Sequence, residues 1–488
     1  MRHCDVINFD PLSQQHKQLV LSIADDKECS SLLSQCWYID DGVLTGHSQS
    51  VHRALTILQQ QGPSLGFLSQ FPISIPSSSI PNFELLGAPI GDFNFCSAFI
   101  TEKISNASTL LSHLQKVGSI DPHVAFTLLR SCAGFCKFAY VARTNHHQWQ
   151  LQPLSTSIAL FMNVSPSALV LTVNTTKQSW LQAELSPHRG GLGLRSLSHH
   201  STAAYISSLC NSECASPHLA SSIDCFNLSV MSSDTISIES CLLNKPSQHN
   251  LSHKLEAYSF SDLFASMSCA HRARLLSVSS PHVAAWLTVT PSVSLGLHLD
   301  PNELHTAIQW WLGLCPYGAT DVPTPLCALY PEKALDPLCH HSITCKCGSD
   351  VTNRHNRLRN TIFSACQRAS LPARLEAGCG LGSSELRTRP ANILVTSWGV
   401  KDTAAFDITI TSPLSPKIVS EAGISAGVAA KAAESRKHEQ NDTKCSELGW
   451  QCIPLAAVET YGAWGEEACN AFSCIAMREA ILTNCRAD

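Results

Sequence analysis

The 488-residue chain has little charge and no excess of basic residues. Charged residues make up 15% and the formal net charge is −5, which excludes a globally basic nucleic-acid binder and leaves only local patches for phosphate contact. The chain also lacks an apolar run of 18 residues, and the start, Met1-Arg2-His3-Cys4, leads into polar sequence rather than the apolar core of a signal peptide. We therefore expect a nuclear or cytoplasmic protein that is not secreted and has no membrane partner.

Apolar residues and cysteine, by contrast, are abundant. Hydrophobic residues make up 44% of the sequence, which is enough to build the cores of roughly two or three domains. The 23 cysteines are an odd number in a long chain without a secretory signal. This pattern favours reduced thiols, some of them on metal, over a disulfide framework.

Two adjacent carboxylates, Asp40 and Asp41, lie between short apolar runs. Trp37-Tyr38-Ile39 precedes them and Val43-Leu44 follows Gly42, which predicts two strands joined by a tight turn. Such a turn would gather carboxylate oxygens at one point, as a divalent cation such as Mg²⁺ requires. A solvated acidic turn on a surface hairpin is the alternative interpretation.

This hairpin resembles the Tyr-x-Asp-Asp box of reverse transcriptases. Further matches follow in that family's order, namely Gly62-Pro63-Ser64-Leu65-Gly66 for the next palm motif and residues 85–91 for the hairpin before the thumb. The resemblance implies an RNA-directed DNA polymerase palm with Asp40 and Asp41 as catalytic ligands of magnesium or manganese. Its partners would be DNA, RNA and, if it is active, deoxynucleotides. Residues 9–13 resemble a worn Gly-Asp-Pro-Leu-Gly box, and the strand with the third carboxylate would lie upstream, so we expect a truncated, impaired palm.

A glycine-rich run, His188 to Arg195, interrupts the helical pattern of the next region. Its backbone amides could approach phosphate, and a turn between helices is an equally good interpretation. The order Gly-Gly-Leu-Gly-Leu, followed by Ala203-Ala204-Tyr205, resembles retroelement proteins.

Cysteine and histidine crowd into residues 327–347. Structural zinc takes four thiolate or imidazole ligands in a tetrahedron. The segment resembles the Cys-x2-Cys, His-x4-Cys knuckle of certain non-LTR retrotransposons, which implies zinc on Cys327, His340 and Cys345. Tyr330 stands where the second Cys belongs, and the substitutes at hand are Cys339, His341 and Cys347. The alternative is a loop of reduced thiols.

The most basic part of the chain is a predicted helix that opens after this segment. Its candidate phosphate contacts, with one further arginine downstream, are Arg354, His355, Arg357, Arg359 and Arg389. A solvated basic face is the alternative interpretation of the same residues.

The last third has the predicted order strand, strand, helix, strand, at 389–395, 404–410, 421–438 and 452–462. It resembles the restriction-like endonuclease of non-LTR retrotransposons, whose motif reads Arg-Pro-x-Asp, then an acid, then Lys. Carried over by position, the catalytic set is Asn392, Asp407 and Lys437, with magnesium on Asp407. An amide at 392 keeps an oxygen but loses the charge, so cleavage should be impaired. Glu459 could supply a carboxylate or cap a strand end.

The order of these motifs resembles an N-terminally truncated polyprotein of the restriction-like-endonuclease class of non-LTR retrotransposons. It implies an α+β and α/β multidomain protein: a reverse transcriptase fragment with a metal-dependent DNA endonuclease-like domain, both impaired. The alternatives are a non-catalytic nucleic-acid-binding remnant and a relic without function. The predicted domains are a partial palm (1–99), a thumb-like helical region (100–209), a linker or poorly ordered insertion (210–254), a helical connector (255–326), the knuckle-like segment (327–350) and the endonuclease-like domain (351–488).

Overall fold

The computed structural model describes residues 23, 27, 32–38, 41–46, 48–61, 82–85, 87–145, 176–211, 217–230, 235–316, 326–375, 391–399, 402–455 and 458–483. Contacts divide the chain into two compact units, Met1–Cys96 and Ser97–Asp488. Their boundary lies close to the predicted end of the palm at residue 99. The elements of both units together make a mixed α+β protein.

The first unit contains two antiparallel hairpins and a helix. Its elements are β1 (Leu32–Tyr38), β2 (Asp41–Gly46), α1 (Ser48–Gln61), β3 (Phe83–Leu85) and β4 (Ala88–Ile90). Tyr38 pairs with Asp41 across β1 and β2, which confirms the predicted hairpin. Asp40 and the side chain of Asp41 lie outside the described residues, so their role as magnesium ligands stays a prediction.

Helices predominate in the described part of the second unit as far as Leu312. They are α2 (Phe93–Gly118), α3 (Pro122–Leu128), α4 (Phe135–Thr144), α5 (Lys177–Glu184), α6 (Leu197–Asn211), α7 (Pro217–Val230), α8 (Ile238–Asn244), α9 (Gln248–Ser266), α10 (Cys269–Val278), α11 (Ala285–Thr288) and α12 (Pro301–Leu312). Polar residues start several of them by accepting a backbone N–H in the first turn. Ser237 and Ser247 do so for α8 and α9, and Asp300 forms a reciprocal capping box with Glu303 in α12.

The interpretation of residues 210–254 as a linker or poorly ordered insertion is wrong for the part that the structure describes. Helices α7 and α8 lie there and share a buried apolar cluster with α6 and α9. Leu219, Ile223 and Phe226 form one face of α7 in that cluster. The helical spacing of these apolar residues is hard to recognise in the sequence, because Ser, Cys and Asn residues lie between them instead of forming a separate polar segment.

One stretch of the described helices, Pro122–Thr144, is long and apolar enough to cross a membrane by length and composition. It consists of α3, a π-helical turn at Leu129–Ala133, and α4. Phe126 and Leu129 pack into the main core of the helical region. A single stretch of this kind is weak evidence for a membrane span, because core helices meet the same criteria.

The remaining elements follow residue 325. They are β5 (Leu326–Cys327), β6 (Tyr330–Ala334), α13 (His340–Thr344), α14 (Asp350–Arg368), β7 (Ala373–Leu375), β8 (Ile393–Thr396), β9 (Thr403–Phe406), β10 (Ile410–Thr411), α15 (Val419–Ala422), α16 (Val428–Glu447), β11 (Gln451–Ile453), β12 (Val458–Glu459) and α17 (Glu466–Thr483). A four-stranded sheet has the order β11-β9-β8-β7. Its buried side chains pack against α14 and α17 in one apolar cluster.

The predicted order of strand, strand, helix and strand is confirmed in this sheet. β8 and β9 are antiparallel, whereas β11 is parallel to β9, with Ile453 opposite Phe406. Parallel neighbours need a crossover connection, and α16 supplies it. The second and last predicted strands are each divided, since β10 and β12 form a separate parallel pair after a bend.

Candidate functional site

Asp407 lies at the end of β9, where the chain leaves the four-stranded sheet. Its side chain is only 10% exposed, and Oδ2 accepts hydrogen bonds from Lys437 Nζ at 2.9 Å and Asn441 Nδ2 at 2.7 Å. Lys437 and Asn441 are one turn apart on α16, so they share a face of that helix. The crossover helix thus brings the predicted lysine to the predicted acid.

Asn392 lies directly before β8, at the same edge of the sheet. Because β8 and β9 are antiparallel, the start of β8 meets the end of β9, and the Asn392 N–H donates to the Phe406 carbonyl oxygen at 2.9 Å. The Asn392 Oδ1 atom accepts the Ile408 N–H at 2.6 Å. The amide therefore braces the bend that follows Asp407, and the structure brings together Asn392, Asp407 and Lys437.

The charges at this edge, which we call the Asp407 edge, are suited to phosphate more than to metal. Mg²⁺ sites gather several oxygen ligands with net negative charge. Here a single carboxylate is paired with an ammonium group, and Asn392 contributes a neutral oxygen. In the described part of the chain, the clusters of three close His, Cys, Asp or Glu ligand atoms do not include Asp407. We therefore expect a divalent cation to bind here weakly.

Glu459 serves the start of α16 instead of the Asp407 edge. Its side chain is buried, and Oε1 accepts the Ala430 N–H at 3.3 Å in the first turn of that helix. Burial raises the pKa of Glu459, although the Ala430 and Ala429 amides oppose that rise. The preceding Gly427 offers no side-chain cap, so Glu459 caps the helix that carries Lys437.

Helix α14 holds the predicted basic residues, but the protein itself engages most of them. Arg354 Nη2 donates to the Ile343 carbonyl oxygen at 3.2 Å, and His355 Nε2 lies 3.1 Å from the Ile408 carbonyl oxygen. Arg359 is half-buried and bonds to the neighbouring Asn360. Arg357 is exposed, so it is the predicted contact on α14 that is most accessible to solvent. Arg389 lies outside the described residues.

The β5–β6 hairpin and helix α13 form the cysteine-rich segment. Cys327 Sγ and Cys345 Sγ are 3.7 Å apart, and a His341 ligand atom lies within 4.8 Å of both. His341, and not the predicted His340, belongs to this group, because successive helical residues point about 100° apart. Tyr330, at the position expected for a cysteine, is 46% exposed.

Backbone amides prepare the first thiol of this group for a metal. Burial raises the pKa of Cys327, but the amides of Leu329 and Tyr330 donate to its sulfur and, with the Cys345 thiol, lower that pKa by more. The Cys347 amide lowers the pKa of Cys345, whereas burial and the neighbouring thiols raise it further. Cys327, around which the hairpin turn wraps, therefore loses its proton more readily than an ordinary cysteine.

Asp336 orients the histidine of this group. Its carboxylate accepts the His340 N–H at 2.9 Å and the His341 N–H at 2.8 Å at the start of α13. The Nε2 atoms of His340 and His341 are both buried without a hydrogen-bond partner among the described residues, and a metal ion bound to His341 could satisfy that nitrogen. Two thiols and an unpaired imidazole fit zinc, and Cys347 beside Cys345 can supply a fourth ligand.

The glycine-rich run has no amides to offer a phosphate. The N–H groups of residues 190–194 each donate to a carbonyl oxygen between Ala183 and Pro187. A Cβ atom at Gly191 would lie 1.9 Å from the Leu185 carbonyl oxygen. The hypothesis of phosphate contact through these amides is therefore wrong, and glycine is needed here for close packing.

Sequence reasoning missed two residues that position the candidate sites. Asn441 shares Asp407 with Lys437, and its spacing of one helical turn from Lys437 was a usable signal. Asp336 stands shortly before the short helix α13, where an acidic residue commonly satisfies free amides.

Comparison with known proteins does not assign the chain to a family. No protein-family model matches the chain, and no curated protein matches it at a significant level. What the chain does must therefore be inferred from the motifs and from the sites described above.

Proposed function

We propose that the chain is a retroelement-derived reverse transcriptase fragment whose C-terminal region is a DNA endonuclease-like domain with an impaired metal site. The observation that carries the proposal is the meeting of Asn392, Asp407 and Lys437 at one sheet edge. These residues lie far apart in sequence and were selected by motif order alone. Their convergence is expected of a catalytic centre, and the same contacts also stabilise the bend after Asp407.

The chemistry of the Asp407 edge explains the impairment. A divalent cation held by Asp407 and residue 392 would polarise a phosphate and lower the pKa of a bound water. With Asn392 the ion gains no second charge, and it must compete with Lys437 for Asp407. Lys437 is then left to attract the phosphate by charge, without an ion to activate the attack.

Restoring the acid at position 392 tests this proposal. Asn392→Asp should tighten Mn²⁺ binding about tenfold or more. The added negative charge should contribute at least about 1.4 kcal/mol of binding free energy, and each 1.4 kcal/mol is a factor of ten in affinity. Calorimetric titration of the full chain with Mn²⁺ measures the affinity. Nicking of supercoiled plasmid in Mn²⁺ measures the activity, which we expect in the variant and not in the parent chain.

Two further variants keep this test specific. Asn250→Asp makes the same change at an exposed position of α9, and it should leave both readouts unaltered. Adding Asp407→Asn to Asn392→Asp should abolish the gain. If Asn392→Asp binds Mn²⁺ no better than the Asn250 control and does not nick DNA, the endonuclease proposal is refuted.

A non-catalytic role in nucleic-acid binding is the second candidate, and the exposed Arg357 favours it. Arg357→Gln should weaken binding to duplex DNA and reduce the slope of log affinity against log salt by about one. Arg143→Gln, an exposed arginine on α4, is the matched control. A salt response that does not change in the Arg357 variant would exclude this helix as the phosphate contact.

The cysteine-rich segment belongs to the same proposal as a zinc site. Cys327, His341 and Cys345 would hold the ion, with Cys347 as the fourth ligand. Zinc there would lock the β5–β6 hairpin onto α13, directly before the basic helix α14. Cys345→Ser should lower the zinc content of the purified chain by one equivalent, and a metal-free parent chain would contradict the assignment.

A further inference from the structure

A second group of metal-binding side chains joins α16 to β11, away from the cysteine-rich segment. Ligand atoms of His438, Asp442 and Cys452 all lie within 4.8 Å of one another. His438 and Asp442 are one helical turn apart, and Cys445 follows on the same face. Cys452 faces them from the strand that α16 leads into. These side chains come together only through tertiary packing, and no sequence motif predicts their proximity.

The two cysteines of this group are in contact. The Cys452 thiol makes hydrogen bonds with the Cys445 thiol and with Asp442, and these bonds, with burial, raise its pKa. Cys445 is 1% exposed, whereas Cys452 is half-buried. A continuous series of hydrogen bonds thus runs from Cys445 to Cys452, from Cys452 to Asp442, and from Asp442 to His438.

We propose that His438, Asp442, Cys445 and Cys452 bind a structural Zn²⁺ ion. Two sulfurs, one imidazole nitrogen and one carboxylate oxygen are a ligand set that zinc accepts in a tetrahedron. With zinc–ligand distances of about 2.0–2.3 Å, neighbouring ligand atoms lie about 3–4 Å apart, and the ligand atoms of His438, Asp442 and Cys452 reach this spacing with small side-chain shifts. The Cys445 thiol, which is hydrogen-bonded to Cys452, supplies the fourth ligand. Binding releases to solvent the protons that the imidazole and the thiols share.

Glu467 supports the histidine from the other side. Its Oε1 atom lies 2.6 Å from His438 Nε2, while Asp442 Oδ1 lies 2.8 Å from His438 Nδ1. A metal at Nδ1 would replace the proton shared with Asp442 and leave Nε2–H donating to Glu467. Histidine ligands commonly have such a carboxylate partner, which fixes the ring and makes it a better donor.

This site would fasten the two elements that define the Asp407 edge. His438 follows Lys437 directly, and Asp442 follows Asn441. In each of these two pairs, the first residue bonds to Asp407 and the second would bind the zinc ion. Ile453, next to Cys452, accepts the Asp407 N–H through its carbonyl oxygen. Zinc would therefore hold α16 in the rotation that directs Lys437 at Asp407. The inference does not require the proposed nuclease activity.

Metal content of the reduced full chain tests the proposal. We expect His438→Gln, Asp442→Asn and Cys452→Ser each to lose one equivalent of zinc relative to the parent, measured by mass spectrometry of the metal after dialysis. After exchange for Co²⁺, the thiolate-to-metal absorption should fall in Cys445→Ser and Cys452→Ser. Glu467→Gln should keep the stoichiometry and weaken the affinity about 10- to 100-fold.

The chain offers matched controls and a way to separate the two zinc sites. His249→Gln and Cys474→Ser change exposed residues of the same types and should leave the zinc content unaltered. Combining Cys345→Ser with Asp442→Asn should remove two equivalents if both sites exist. Asp442 is 56% exposed, so its variant should fold even where Cys452→Ser does not. Zinc content equal to that of the parent in Asp442→Asn and His438→Gln would overturn the inference.

Discussion

Replacing Glu184 by glutamine should stabilise the helical region at neutral and alkaline pH. Glu184 lies in the last turn of α5, where the helix dipole disfavours an anion. Its Oε1 atom accepts the Trp180 Nε1–H at 3.1 Å. Burial nevertheless raises the pKa of Glu184 to about 7, because that one bond offsets only part of the lost hydration. Glutamine keeps the same acceptor without the charge.

The size and sign of the effect follow from the pKa. The folded chain binds this proton more tightly than the unfolded chain, whose ordinary value is 4.5. Stability is therefore full below about pH 4.5 and is lost as the pH rises towards 7. A shift of this size corresponds to about 3 kcal/mol, and the weaker neutral hydrogen bond of glutamine leaves a net gain of about 2–3 kcal/mol at pH 8.

Urea unfolding followed by tryptophan fluorescence at pH 4.5 and pH 8 measures this gain. The difference between Glu184→Gln and the parent should be small at pH 4.5 and largest at pH 8. Glu102→Gln, an exposed position on α2, is the control and should show little difference at either pH. If the Glu184 variant gains no stability between the two pH values, the burial of an unpaired carboxylate is refuted.

Three other changes test the packing, the capping and the metal dependence of the second unit. Gly191→Ala should destabilise it by about 3 kcal/mol, seen as a lower melting temperature, because the new Cβ meets the Leu185 carbonyl oxygen. Asp121→Ala should lose about 1–2 kcal/mol by removing the cap on the Val124 N–H of α3. Burial raises the pKa of Asp121, but that cap and His298 lower it by more, so this loss should shrink as unfolding is measured at pH 3 instead of pH 7. Removing zinc with a chelator should lower the melting temperature, and Zn²⁺, but not Mg²⁺, should restore it.

The polar groups at the Asp407 edge satisfy one another without a cation. Asn392 retains the backbone pairing and the bond to Ile408 that an aspartate would also make. Lys437 takes up the charge of Asp407, so the buried carboxylate stays compensated. Such an arrangement leaves the charge of Asp407 compensated without a cation.

Local patterns predicted the elements that carry the candidate sites. Alternating apolar residues around Asp40 and Asp41 predicted the hairpin that β1 and β2 form. The strand order around α16 was also predicted, because strands and helices differ in the period of their apolar residues. The bounds were less accurate, since the bend after Asp407 depends on the side chain of Asn392 from another strand.

Other features had no local signal. The helices in 210–254 are stabilised by contact with α6 and α9, and such long-range burial does not appear in composition. The choice of His341 over His340 depends on how α13 is rotated, which Asp336 fixes through two amides. The meeting of His438 with Cys452 depends on the packing of α16 against β11.

The sequence by itself determined the mixed α+β character, the presence of strands next to Asn392 and Asp407, and the residue types available for metal and phosphate. These follow from the spacing of apolar and polar residues along short segments, because backbone geometry fixes those periods. Only the tertiary structure decided that Lys437 reaches Asp407 and that Glu459 caps α16. It also decided that the amides of residues 190–194 donate to the carbonyl oxygens of the residues just before the glycine-rich run. Those outcomes depend on how distant elements pack, and packing is set by the whole core rather than by neighbours in sequence.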